Sequence, residues 1–227
     1  WTPQTGKNGD GWQYTYNANK IRGFKQTHQP SPWINDHGQF SIMPVTGSPE
    51  FDQESRASWF SHKGETATPY YYSVYLADHD VFAEITPTDR AAIMRFTFPE
   101  DSSFITVDAF DRGSAITILP EKRQIIGKTT RNSGGVPDNY ANYFIIEFDK
   151  PFEYFATFGN KSENTPLTLN PGNQNFEGYH AGGVIGFKTS RGEKVHARIA
   201  SSFISPEQAR LNLSELNGKS FDEVADD

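Results

Sequence analysis

Between His28 and Gly38 the chain reads His-Gln-Pro-Ser-Pro-Trp-Ile-Asn-Asp-His-Gly, which sets one indole among hydrogen-bonding side chains. Pro30 and Pro32 fix their own φ angles and push Gln29 and Ser31 toward extended backbone, so the segment is stiff before any ligand arrives. On it sit His28, Gln29, Ser31, Trp33, Asn35, Asp36 and His37. An indole face beside imidazole, amide and carboxylate groups suits a sugar, which pairs apolar C–H faces with a rim of hydroxyls. The plainer reading is a surface loop whose tryptophan plugs the edge of a core. On the first reading Trp33 is the stacking platform. His28, Gln29, Ser31 and Asp36 then contact hydroxyls or orient the loop.

Other chemistries find less support. A metal site drawn from His28, Asp36 and His37, or from His62 with Glu65, matches no familiar ligand spacing. Two carboxylates for glycoside hydrolysis could be chosen among 28 acidic residues, yet nothing in the sequence marks a pair that converges. Asp108, Asp111 and Glu147 lie on or beside expected strands and read as outward-facing, solvated carboxylates. No GxSxG elbow supports a Ser-His-Asp triad. Gly134-Gly135 reads as a turn and Gly182-Gly183 as a bulge or tight strand entry, neither as a phosphate loop. No catalytic residue and no metal ligand is assigned to this chain.

The elements that must position the loop are strands. Tyr70–Leu76, Val81–Thr86, Ala92–Phe98, Phe104–Phe110, Tyr143–Phe148 and Phe152–Phe158 are short, aromatic and β-branched, with turn-like clusters between several of them. In Lys194–Phe203, Val195, Ala197, Ile199 and Phe203 share one face; His196, Arg198, Ala200 and Ser202 share the other. That period of two predicts antiparallel sheets with one covered face. Trp12, Tyr14 and Tyr16 alternate in the same way and read as strand. The expectation is an all-β fold, a large antiparallel β-sandwich of roughly ten strands over residues 1–204.

The chain then changes character. Ser205-Pro206-Glu207-Gln208 is a capping box, with Gln208 reaching back to the cap, and Ala209, Leu213 and Leu216 share a helical face before Gly218 stops it. Ser220-Phe221-Asp222-Glu223 is a second box barely two turns from Asp227, too short to hold a helix alone. Residues 205–227 are read either as a frayed tail or, preferably, as a helical linker at the entry to a missing helical domain.

Composition narrows the class. A net charge of −7 argues against a nucleic-acid partner. Zero cysteines remove thiol catalysis and disulfides and are compatible with cytosol or export. No run of about 18 apolar residues exists to span a membrane. Opening at Trp1 without methionine, the chain is expected to be processed or a fragment.

The run Gly11–Tyr16, then Ile21–Trp33 with Asp36-His37-Gly38 and Met43-Pro44, resembles the N-terminal domain of the bacterial α-mannosidases of glycoside hydrolase family 92. The resemblance continues through Phe60–Ala67, Tyr71–Val74, Ala83–Arg90 and Arg95–Pro99, and closes with Ala209–Leu213. It implies a galactose-mutarotase-like supersandwich followed by helical linkers and an (α/α)6 barrel. It also implies an exo-acting, inverting, calcium-dependent enzyme. The barrel would supply the acid, the base and most of the calcium environment, so calcium belongs to the full-length enzyme and no cofactor is expected in this fragment. The fragment alone is expected to be inactive. The expected partners are a mannose-containing oligosaccharide and the helical catalytic domain of the same polypeptide. The His-Gln-Pro-Ser-Pro-Trp form resembles the subgroup associated with α-1,2-linked mannose. Export to the bacterial periplasm or cell surface, in the setting of N-glycan degradation, follows from the same resemblance. The competing expectations are an autonomous carbohydrate-binding sandwich and a purely structural domain without sugar contact.

Overall fold

The computed structural model describes residues 1–8, 13–26, 40–99 and 102–226. Its central strand, Glu193–Ser202, follows the sequence pattern. Val195, Ala197 and Ile199 are fully buried on the inner face, while His196 and Arg198 alternate outward. This strand pairs with Ala91–Phe98 on one side and Asn142–Phe148 on the other. The nine-stranded sheet around them continues through Val81–Pro87, Tyr72–Leu76 and Thr66–Ala67 to one edge. It runs through Gln124–Thr129, Ser114–Leu119 and Asn175–Gly178 to the other. A seven-stranded sheet faces it, in the order Thr2–Pro3, Phe24–Lys25, Ser41–Thr46, Ser103–Asp108, His180–Phe187, Tyr154–Asn160 and Thr168–Pro171. All the ladders linking these strands are antiparallel. The expected all-β sandwich is the observed one, with sixteen strands in its two sheets rather than roughly ten, because several are two- to four-residue pieces too short to show alternation.

Between the sheets, Ile42, Ile105, Val107 and Ile185 meet Met94, Phe96, Ile116, Ile146, Val195 and Ile199 in one core. Phe40 stacks on Phe144 with centroids 4.0 Å apart, fastening the chain to the core just before the Ser41–Thr46 strand.

A second core lies on the outer face of the nine-stranded sheet. There Ala91, Ile93, Ile145 and Ala200 receive Ala209, Leu213, Leu216, Phe221 and Val224 from the C-terminal helices. The alternation of Glu193–Ser202 therefore gives way to continuous burial from Ile199 onward, because a helix covers what would otherwise be the wet face. Ser205 caps the Pro206–Leu213 helix by accepting from Gln208 N at 3.1 Å. The reciprocal reach expected of Gln208 is absent; its side chain donates to Asn212 Oδ1 at 2.9 Å instead. At Ser220 the box is complete, with Glu223 Oε2 accepting from Ser220 N at 2.7 Å and Ser220 Oγ accepting from Glu223 N at 3.3 Å. Arg95 fixes this second helix. Its guanidinium grips both oxygens of Glu84, bonds Asp222 Oδ1 at 2.8 Å and lies 4.0 Å from the Phe221 ring centroid.

Three expectations are corrected. Tyr14 lies in irregular chain and Tyr16 in a turn rather than a strand, and both pack around His62 instead of a sheet neighbour, while Trp12 lies outside the described residues. Gly182 and Gly183 sit inside the His180–Phe187 strand, not at its entrance. A Cβ on Gly182 would come within 2.0 Å of the Phe158 ring, so the missing side chain seats that ring. Phe203 is 41% exposed and does not join the inner face of its strand; its ring stacks on Tyr140. Among the described residues no helix is long and apolar enough to cross a membrane.

Candidate functional site

Trp33, His28, Gln29, Ser31 and Asp36 lie outside the described residues, so their side chains receive no placement. What is described is the platform they depart from. Lys25 ends one strand and Ser41 begins the next, and the two are paired across the ladder. Ser41 is paired with Asp108, and Asp108 with Gly182, two residues into the strand that His180 begins. Register alone thus brings both feet of the 27–39 segment to the end of the sheet that holds Asp108 and His180.

Asp108 is 1% exposed, which corrects the expectation of a solvated carboxylate. It points to the face opposite Ile105 and Val107, the outer face of the seven-stranded sheet, where the Arg56 guanidinium and the His180 imidazole converge on it. Oδ2 accepts from Arg56 Nη1 at 2.8 Å; Oδ1 pairs with His180 Nε2 at 2.7 Å and accepts from Phe110 N at 2.9 Å. Burial pushes the carboxyl upward, but His180 and Arg56 outweigh it and hold Asp108 well below the usual carboxylate range. Arg56, equally buried, also donates to Arg22 O at 2.9 Å and Phe51 O at 3.0 Å. The pair is therefore a structural lock rather than a proton donor.

A second layer sits beside it. Lys25, with no exposed surface, donates from Nζ to Asn8 Oδ1 at 2.9 Å and lies 4.6 Å from the Phe110 centroid. Desolvation first, then the charge of Arg131, holds its amine well below the usual lysine range. Asn8 passes the contact on to Asp111 Oδ1 at 3.0 Å, and Arg131 pairs with the same carboxylate. Asp111 can reach both because Phe110 and Arg112 adopt left-handed backbone, φ +60° and +65°, in a tight turn closed by Gly113. Each costs on the order of 1 kcal/mol for a residue other than glycine, which this network offsets.

Buried polar atoms without a partner among the described residues occur along the same segments. They include both side-chain atoms of Gln13, Gln26 Oε1, Ser41 Oγ and Arg56 Nη2. Sequence reasoning missed Lys25, Arg56, Arg131 and His180, which come from distant segments with no shared motif; only the register joins them.

His62 and Glu65 do meet, with Nδ1 2.7 Å from Oε2. The imidazole stacks on Tyr16 at 4.1 Å, and Glu65 Oε1 accepts from the Tyr72 hydroxyl at 2.6 Å. The bond to Glu65 raises the His62 pKa, while burial and Glu65 push Tyr14 up to about 12. The result is an aromatic clasp on the surface. Glu147 stays on the outer face, accepting from Gln124 Nε2 at 2.7 Å. Among the described residues no three His, Asp or Glu side chains converge as metal ligands would. Asp52, Glu54, Glu84, Asp108, Asp149, Glu177, Glu193, Glu207 and Asp222 shift downward, away from the raised pKa that a general acid needs.

Comparison with known proteins gives a family. The model of the glycosyl hydrolase family 92 N-terminal domain matches residues 1–202. A family GH92 inverting mannosidase from Bacteroides thetaiotaomicron shares 43% identity with a TM-score of 0.91, covering 100% of this chain and 30% of its own. A family GH92 α-mannosidase from the same organism, in complex with mannoimidazole, matches at 28% identity and TM-score 0.84 over 99% of this chain and 31% of its own. An uncharacterized secreted glycosidase of Arthroderma benhamiae is 23% identical over 92% of this chain and 30% of its own. The chain thus spans about a third of the length of these relatives.

Proposed function

The chain belongs to glycosyl hydrolase family 92 as its N-terminal domain, and from that premise we propose that it is the non-catalytic half of an exo-acting, inverting, calcium-dependent α-mannosidase. The observation that carries this is the register: both feet of the 27–39 segment are bolted to a buried ionic platform at one sheet end. In this reading Trp33 stacks on mannose, while His28, Gln29, Ser31 and Asp36 contact hydroxyls or orient the loop. Residues 205–227 form a helical linker lying on the sandwich, which directs the chain toward an (α/α)6 barrel carrying the acid and base. Asp108 and Glu84, the most buried carboxylates described, are each held ionised by an arginine, which supports that division. No step on this chain is assigned to calcium, which in this reading falls to the barrel. The preferred substrate is an α-1,2-linked mannoside, and the enzyme is exported, to the periplasm or cell surface of a bacterium.

The test is Trp33→Ala in the full-length enzyme. Loss of a desolvated aromatic platform should lower kcat/KM on an α-1,2-mannobioside by at least tenfold. An unchanged kcat/KM removes Trp33 from the site.

A further inference from the structure

Beside the Asp108–His180 pair opens a polar cleft of about 220 Å³ that the loop reading does not use. Asn8, Asp111, Asn160, Glu163, Tyr179 and His180 line it. Asn160 is paired with His180 across the ladder, so the cleft lies at the same sheet end as Lys25 and Ser41. We propose that this cleft is a distal monosaccharide subsite, receiving the third unit of the mannose-containing oligosaccharide whose first two units the 27–39 loop meets. The proposal rests on the mannosidase reading and deepens it.

His180 carries the argument. It is 9% exposed, and its Nε2 is engaged by Asp108. Asp108 is held ionised and can only accept, so the Nε2 proton is fixed in place. Nδ1, the other ring nitrogen, has no protein partner among the described residues. The carboxylate behind the ring orients it at the wall of the cleft, where a ligand hydroxyl can bond it. Asn160 Oδ1 is an acceptor, buried without a partner, while Nδ2 holds Thr165 O at 2.6 Å. Glu163 and Asp111 add carboxylates; the Tyr179 hydroxyl bonds Glu163, its pKa raised by burial and by those two acids.

This chemistry selects a neutral polyol. Two carboxylates repel an anion, and an acceptor-rich wall needs a ligand bearing several hydroxyl donors. The volume falls below the roughly 300–1,000 Å³ of pockets for drug-sized ligands, at the scale of one sugar ring. The His, Asp and Glu present do not converge as a metal cluster, so a cation is the competing occupant that the experiment must exclude.

The full-length polypeptide is titrated calorimetrically with an S-linked α-1,2-mannotrioside, which it cannot cleave, and with the matching mannobioside and calcium chloride. Glu163→Gln and Tyr179→Phe alter partly exposed side chains, and unchanged melting temperatures verify their folds. Each should weaken mannotrioside binding about tenfold, the worth of one strong hydrogen bond, and weaken mannobioside binding far less. Equal weakening of both ligands, no weakening, or no mannotrioside binding overturns the subsite. So does calcium binding that is lost in Glu163→Gln while mannotrioside binding is kept. Failure of the wild type to hydrolyse any mannoside overturns the mannosidase reading separately and leaves the calorimetric result standing.

Discussion

At the scale of single residues, Asp108 does the work that sequence assigns to no one. A strand carboxylate ordinarily points to water; this one is enclosed because Arg56 and His180 arrive from 52 residues before it and 72 after it. A pair buried to this degree is weak evidence of net stability, but breaking it is expensive, since the surviving partner stays uncompensated. Asp108→Asn should therefore cost about 3–5 kcal/mol, read by denaturant unfolding at neutral pH. The pH dependence follows from the depressed carboxyl. Below the unfolded carboxylate value of about 3.9 the unfolded chain takes up a proton that the native state resists. The contribution is thus complete above that value and is lost as pH falls toward the native pKa. Wild type should lose stability more steeply than Asp108→Asn between about pH 5 and pH 2; parallel curves would show that the carboxyl is not held ionised.

At the scale of elements, the strands were legible wherever aromatic and β-branched residues alternate. Val81–Pro87, Ala91–Phe98 and Asn142–Phe148 fall within one residue of their expected bounds. His180–Phe187 was not, because Gly182, Gly183 and Gly186 erase the β signal where neighbouring rings and isoleucine side chains need the room. The capping boxes announced both helices, but nothing in the sequence states that they dock. Docking is carried by Ile93, Ile145 and Ala200, which occupy outward positions of their strands and look misplaced until a helix covers them. Leu216, fully buried there, tests the point: Leu216→Ala should cost about 3 kcal/mol. Phe221→Ala should cost a similar amount by removing the ring that packs on Arg95 and Tyr71. A frayed tail would give neither loss. Of the candidate site, the loop was legible as composition, whereas its platform was not, since register is a property of pairs of strands.

At the scale of the whole molecule, the distribution of acids decides what the chain can do alone. Inverting hydrolysis needs two carboxyls about 6.5–9.5 Å apart, one kept protonated by its surroundings and one free to activate water. The most buried carboxylates described here, Asp108 and Glu84, are each committed to an arginine, and both are pushed toward the ionised form. A group stabilised as an anion by a guanidinium at 2.6–2.8 Å is the reverse of a general acid. The 227-residue chain should accordingly release no aryl alcohol from an aryl α-mannoside above the buffer rate, while the full-length polypeptide releases it readily. Turnover by the chain alone would mean that an acid lies within it, and the division of labour proposed here would fall. If instead activity appears only on adding the helical part as a separate polypeptide, the sandwich acts by completing a pocket across the junction, as a loop rooted on a rigid ionic base is built to do.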